Sequence, residues 1–63
     1  MMLEVRIIID NVKRYGGFRE KEILKDLVKV EIVMDDERHK VYKFENKEGF
    51  YFEYDFKSHL IVG

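Results

Sequence analysis

The sequence predicts a small α+β domain of order β-α-β-β-β: a three-stranded antiparallel meander over residues 28–57, with one short helix over 18–27 packed on its aromatic face. Three observations carry this. Apolar and polar residues alternate through most of Val28–Phe56, the period of a half-buried strand. Two compact polar turns, around Asp36 and at Asn46–Gly49, interrupt that alternation at hairpin spacing. Just ahead of it, Ile23, Leu24 and Leu27 recur at helical spacing.

Taken in order, Leu3–Asp10 reads as a strand, with Leu3, Val5, Ile7 and Ile9 on one side and Glu4, Arg6, Ile8 and Asp10 on the other. Ile8 is the misfit on the polar side. Asn11–Phe18 has no period and holds Gly16-Gly17, the mark of a loop. The helix follows, with Gly17 as N-cap and Glu20 near the third position, where an acid suits the helix dipole. So short a helix needs the sheet to hold it. If residues 22–28 instead extended a strand, the chain would form an SH3-like small β-barrel; the spacing of Ile23, Leu24, Leu27 and Val28 favours the helix.

The meander comprises Val28–Asp35, His39–Asn46 and Phe50–Lys57. Asn46–Gly49 suits a type I turn closed by a glycine at positive φ. That turn sets Phe44 opposite Phe52 and Tyr42 opposite Tyr54. Placing Asp35 opposite His39 sets Ile32 against Tyr42, Val30 against Phe44 and Val33 against Val41. One face then carries Val28, Val30, Ile32, Met34, Tyr42, Phe44, Phe50, Phe52, Tyr54 and Phe56. The other carries the charge rows Glu31–Lys43–Glu53 and Lys29–Glu45, each pair contributing ~0.2–1 kcal/mol. Beyond Phe56 the parity continues to Val62, leaving Lys57–Val62 as an overhang in need of a neighbour.

The chain of 63 residues is read as a single domain, 1–63, close to the lower limit for a self-sufficient core. It has no cysteine, which excludes disulfides, thiolate metal sites and thiol catalysis. The small core and the overhang therefore point to a homo-oligomer, most simply a two-fold dimer. Candidate interface residues are Ile8, Val33, Val41, Leu60, Ile61 and Val62. The absence of cysteine and of a signal segment points to the cytoplasm. No apolar run approaches the ~18 residues of a membrane span. A net charge of −1 gives no general footprint for nucleic acid or anionic membrane. Lys and Glu enrichment resembles thermophile usage.

One segment departs from that neutrality. Residues 11–21 hold Lys13, Arg14, Tyr15, Arg19 and Lys21 around two glycines, leading into a helix N-terminus. Such a basic, aromatic loop suits a phosphate anion or nucleic acid, although the P-loop spacing is absent. The acidic turn Asp35–His39 offers oxygen ligands without an EF-hand pattern, and no metal or cofactor is implied. For catalysis the inventory is thin: His39, His59 and a single serine, Ser58, whose strand neighbour His59 points the opposite way. The expected function is a small non-catalytic binding or interaction module, homo-oligomeric through its edge strand and C-terminal extension and open to a protein partner. Nucleic-acid or phosphate binding through the loop is the alternative.

Overall fold

A computed structural model, describing residues 2–63, begins with a helix where alternation predicts a strand. Helix α1 spans Leu3–Tyr15, so the expected first strand is overturned. The cause is a segment that satisfies two periods at once. Leu3, Val5, Ile7 and Ile9 alternate, but Val5, Ile8, Ile9 and Val12 also share one helical face. Burial decides between them: Val5, Ile8 and Val12 are buried, Ile8 completely, whereas Leu3 is 71% exposed. Glu4 in the first turn and Lys13 and Arg14 in the last complement the helix dipole.

α1 stops at Gly16, whose N–H donates to the Val12 carbonyl at 2.8 Å. A Cβ on Gly16 would lie 2.5 Å from that oxygen, so no other residue fits without displacement. Only Gly16 and Gly17 separate α1 from helix α2, Phe18–Lys25. Most of the loop expected over Asn11–Phe18 is therefore helix. α2 itself lies where its spacing placed it. Glu20 reaches back to cap it, its Oε1 accepting the Gly17 N–H at 3.2 Å, and Ile23 is its buried anchor.

Four strands follow: β1 (Leu27–Asp35), β2 (Lys40–Asn46), β3 (Tyr51–Asp55) and β4 (Leu60–Ile61). They form one antiparallel sheet in chain order, open rather than closed on itself. The barrel alternative therefore falls. Between β2 and β3 the expected register holds, with Phe44 opposite Phe52, Tyr42 opposite Tyr54 and Lys43 opposite Glu53. The Phe44 and Phe52 rings stack at 5.0 Å. Gly49 closes the turn at φ +89°, and the Asn46 Oδ1 accepts the N–H groups of Glu48 and Phe50 at 3.0 and 2.9 Å.

Between β1 and β2 the register is right over Lys29–Ile32 and wrong beyond it. Val33 bulges out, so Met34 faces Val41 and Asp35 faces Lys40. The expected pairings of Val33 with Val41 and of Asp35 with His39 are thereby corrected. A second irregularity lies at Val28. The extra residue at Val33 lets the turn tighten around Asp36, whose Oδ1 accepts the N–H groups of Arg38 and His39 at 2.9 and 2.7 Å. Register does not translate into cross-strand ion pairs. The charged groups that close are neighbours along a strand: Lys29–Glu31 at 3.8 Å and Lys43–Glu45 at 3.6 Å.

The core joins Val5, Ile8, Val12 and Ile23 of the helices to Tyr42, Phe44, Phe52 and Tyr54 of the sheet. α2 rests on β2 and β3, so the aromatic face is covered there and left open over β1. Val28, Ile32, Met34 and Phe50, expected inside, are exposed. The C-terminal overhang does not exist as such. After Asp55 the chain reverses, with His59 at φ +58°, and β4 returns along β3, setting Ile61 opposite Tyr54. Among the described residues no helix is long and apolar enough to cross a membrane.

Candidate functional site

Strand order leaves β1 at one edge of the sheet and β4 at the other. β4 has 2 residues and β1 has 9, which makes β1 the longer unpaired edge. Its hydrogen-bonding direction follows from β2. The Asn46 N–H donates to Phe50 O at 2.9 Å and the Phe56 N–H to Lys40 O at 2.8 Å, so alternate β2 residues bond toward β3. The residues between them, Lys43 and Glu45, bond toward β1. Their partners Glu31 and Lys29 turn their backbone groups inward. Val30 and Ile32 therefore direct theirs outward, to the open edge.

Apolar side chains crowd that edge: Val28 is 65% exposed, and Ile32, Val33 and Met34 are 45–47% exposed. Beside Ile32 a groove of about 460 Å³ runs between the edge and the start of α1, walled by Met2, Val5, Val30 and Tyr42. A polar clamp holds this wall in place. The buried Tyr42 hydroxyl donates to Glu4, which also receives Lys40 Nζ at 2.8 Å. The Lys40 bond, then that of Tyr42, holds the Glu4 carboxyl below its ordinary value. Burial, then Glu4, raises the Tyr42 phenol.

A second cluster ties the turns at one end of the sheet. Asp55, 1% exposed, accepts from the His39 imidazole Nδ1 at 2.6 Å and from the N–H groups of Lys57 and Lys40 at 2.9 and 3.3 Å. The His39 bond holds its carboxyl well below the carboxylate range, and Asp55 in turn raises His39. Lys57 Nζ donates to the carbonyls of Asp36 and Glu37 at 2.6 and 3.0 Å. Chemically this is an imidazole oriented by a carboxylate. Both of the Asp55 oxygens are committed to holding the two turns together.

A third place, missed by sequence reasoning, is a groove of about 490 Å³ between the end of α1 and β4, walled by Val12, Tyr15, Leu60 and Ile61. At its floor the Asn11 amide donates to the Tyr54 hydroxyl at 3.3 Å, and that hydroxyl lies 3.4 Å from His59 Nδ1. His59 thus meets a phenol, and it is His39 that takes the carboxylate of Asp55. Only the tolerance of His for the left-handed region hinted at the reversal that brings His59 here.

The five basic-loop residues are dispersed over two helices. Lys13, Arg14 and Tyr15 end α1, where the dipole favours cations for structural reasons, and Arg14 lies 3.4 Å from Asp10. Arg19 donates to the Tyr51 carbonyl at 2.6 Å, Lys21 sits further along α2, and Glu20 occupies the Gly17 N–H that an anion would need. The six interface residues are likewise not one patch. Ile8 and Val41 are buried, Val33 is on β1, and Leu60, Ile61 and Val62 lie at the opposite edge. Among the described residues no three histidines or carboxylates gather as a metal site. Neither family models, nor characterised proteins, nor solved structures provide a match to this chain.

Proposed function

We propose that the chain is a non-catalytic interaction module that associates with itself through the open edge of β1. One observation carries this: a 9-residue edge strand offers backbone groups at Val30 and Ile32 beside exposed Val28, Ile32, Val33 and Met34. Such an edge templates the addition of another strand. The core supports the same conclusion, since a domain of about 60 residues buries only about 60% of its unfolded surface and gains from a partner. Both imidazoles are engaged with groups that shape the turns, His39 with Asp55 and His59 with Tyr54, which favours binding over catalysis. The cysteine-free composition favours the cytoplasm.

The test is sedimentation velocity from low micromolar to near-millimolar protein, with amide exchange at both ends of the series. Association that grows with concentration, accompanied by slower exchange at Val30 and Ile32, is the expected outcome. A monomer throughout, with both amides exchanging freely, refutes it.

A further inference from the structure

We infer that the occupant of the β1 edge is β1 of a second copy, running antiparallel about a two-fold axis that passes beside Val30, so that Lys29 of each chain faces Glu31 of the other. This rests on the self-association proposed above and fixes its geometry. Two identical antiparallel strands pair symmetrically, so one residue sits on the axis opposite itself. The regular part of β1 is Lys29–Ile32, bounded by the irregularities at Val28 and Val33, which leaves four positions for the axis.

An axis beside Lys29 sets two lysines opposite each other, and one beside Glu31 sets two glutamates opposite each other, both destabilising. An axis beside Ile32 brings the Val33 bulge into the ladder. An axis beside Val30 avoids like charges and leaves the irregular positions, Val28 and Val33, at the ends of the ladder. It makes Val30 a hydrogen-bonded pair with its own copy, using the backbone groups that point outward, and it places opposite charges across the seam twice.

The pattern extends beyond the seam. Within one chain Glu53, Lys43 and Glu31 lie side by side across the strands, as do Glu45 and Lys29. Joined about Val30, they form one continuous row of alternating sign: Glu53, Lys43 and Glu31 of one copy, then Lys29 and Glu45 of the other. The same row recurs in the opposite direction. Both helical layers fall on one face of the resulting sheet, and the two grooves beside Ile32 flank the seam. The side chains that would meet are available, with Lys29 57% and Glu31 40% exposed.

Charge reversal tests the register. Lys29→Glu places glutamates opposite glutamates at both crossings, and Glu31→Lys places lysines opposite lysines. Each variant alone is expected to dimerise at least about tenfold more weakly than the wild-type chain. An equimolar mixture of the two restores both crossings and is expected to form a one-to-one heterodimer of wild-type strength. Single variants that dimerise like wild type, or a mixture no tighter than its components, overturn the register while leaving self-association standing. A monomeric wild-type chain removes both.

Each reversal also faces a like charge within its own chain, Glu45 or Lys43, so a second measurement covers a variant that fails to fold. The chain lacks cysteine, and a directly opposed antiparallel pair has its Cα atoms about 5.5 Å apart, within disulfide reach. Val30→Cys is expected to give a covalent dimer on mild oxidation, and Ile32→Cys is not. The reverse preference, or equal cross-linking, overturns the assignment.

Discussion

Replacing Ile8 with alanine separates the helical first element from the strand that its alternation suggests. As part of α1, Ile8 is wholly buried among the core side chains and Ile7 is 38% exposed. On a strand the two would change places. Truncating a buried isoleucine costs about 2–5 kcal/mol through lost transfer energy and the cavity left behind. A chain of 63 residues has only about 3–9 kcal/mol of total stability at typical per-residue values. Ile8→Ala is therefore expected to lower Tm by about 8–40 °C, at 4–8 °C per kcal/mol for a domain this size. Ile7→Ala loses less burial and gains helix propensity, so its cost stays within about 1 kcal/mol. Urea titrations followed by far-ultraviolet circular dichroism, at one fixed protein concentration, measure both. If Ile7→Ala costs as much as Ile8→Ala or more, the assignment of the buried face of α1 is wrong.

The His39–Asp55 pair sets a pH window. His39 is raised above its ordinary 6.5, so its contribution is complete below that pH and is lost as pH climbs through the raised value. Asp55 is lowered from 3.8, so its contribution is present above 3.8 and fades only in strong acid. Glu4 is likewise lowered, from 4.5, so wild-type Tm is expected to plateau between 4.5 and 6.5 and to fall above. His39→Gln should flatten the fall on the alkaline side; an unchanged slope in melts across that range counts against the pair. Asp55→Ala strands the amides of Lys40 and Lys57 as well as the imidazole. Its Tm should drop further than that of His39→Gln, and an equal drop would mean that the amide bonds contribute nothing. At Gly49, φ is +89° and a Cβ would meet nothing within 4 Å, so Gly49→Ala carries a backbone penalty alone, about 1–2 kcal/mol. Gly49→Asn should cost less in the same urea titration, and equal costs would argue against the left-handed turn.

The meander was legible because one short turn and a period of two constrain it jointly. Once Asn46–Gly49 closes, Phe44 must meet Phe52 and every side chain in β2 and β3 is assigned a face. β1 was only half legible, since nothing in its composition marks Val33 as surplus; the demand comes from the Asp36 turn. α1 was misread because Val5, Ile7 and Ile9 are β-branched and alternate. The contrary signals were the misfit Ile8, the basic residues Lys13 and Arg14, and Gly16 just beyond, which together describe a helix and its end. The edge used by the proposed assembly was visible only as a strand. Whether its outer side stays open depends on β4 pairing with β3, which rests on the reversal at His59, and on the first segment being a helix instead of a strand. The Asn11–Tyr54–His59 group joins parts of the chain too far apart for any spacing rule to connect.

That the sheet is laid down in the order of synthesis has a kinetic consequence. Each hairpin closes a short loop with its immediate neighbour, which incurs little loop entropy and favours quick folding. The most distant of these hydrogen bonds belong to α1: Glu4 reaches Tyr42 across 38 positions and Asn11 reaches Tyr54 across 43, against 32 for Arg19 of α2 and Tyr51. We expect hairpins to form ahead of α1 docking, so stopped-flow φ-values should approach zero at Val5 and Val12 and be high at Phe44 and Phe52. High values at Val5 and Val12 would reverse that order. A nascent chain would then present its half-built sheet, aromatic side uncovered, for as long as the N-terminal segment takes to come home.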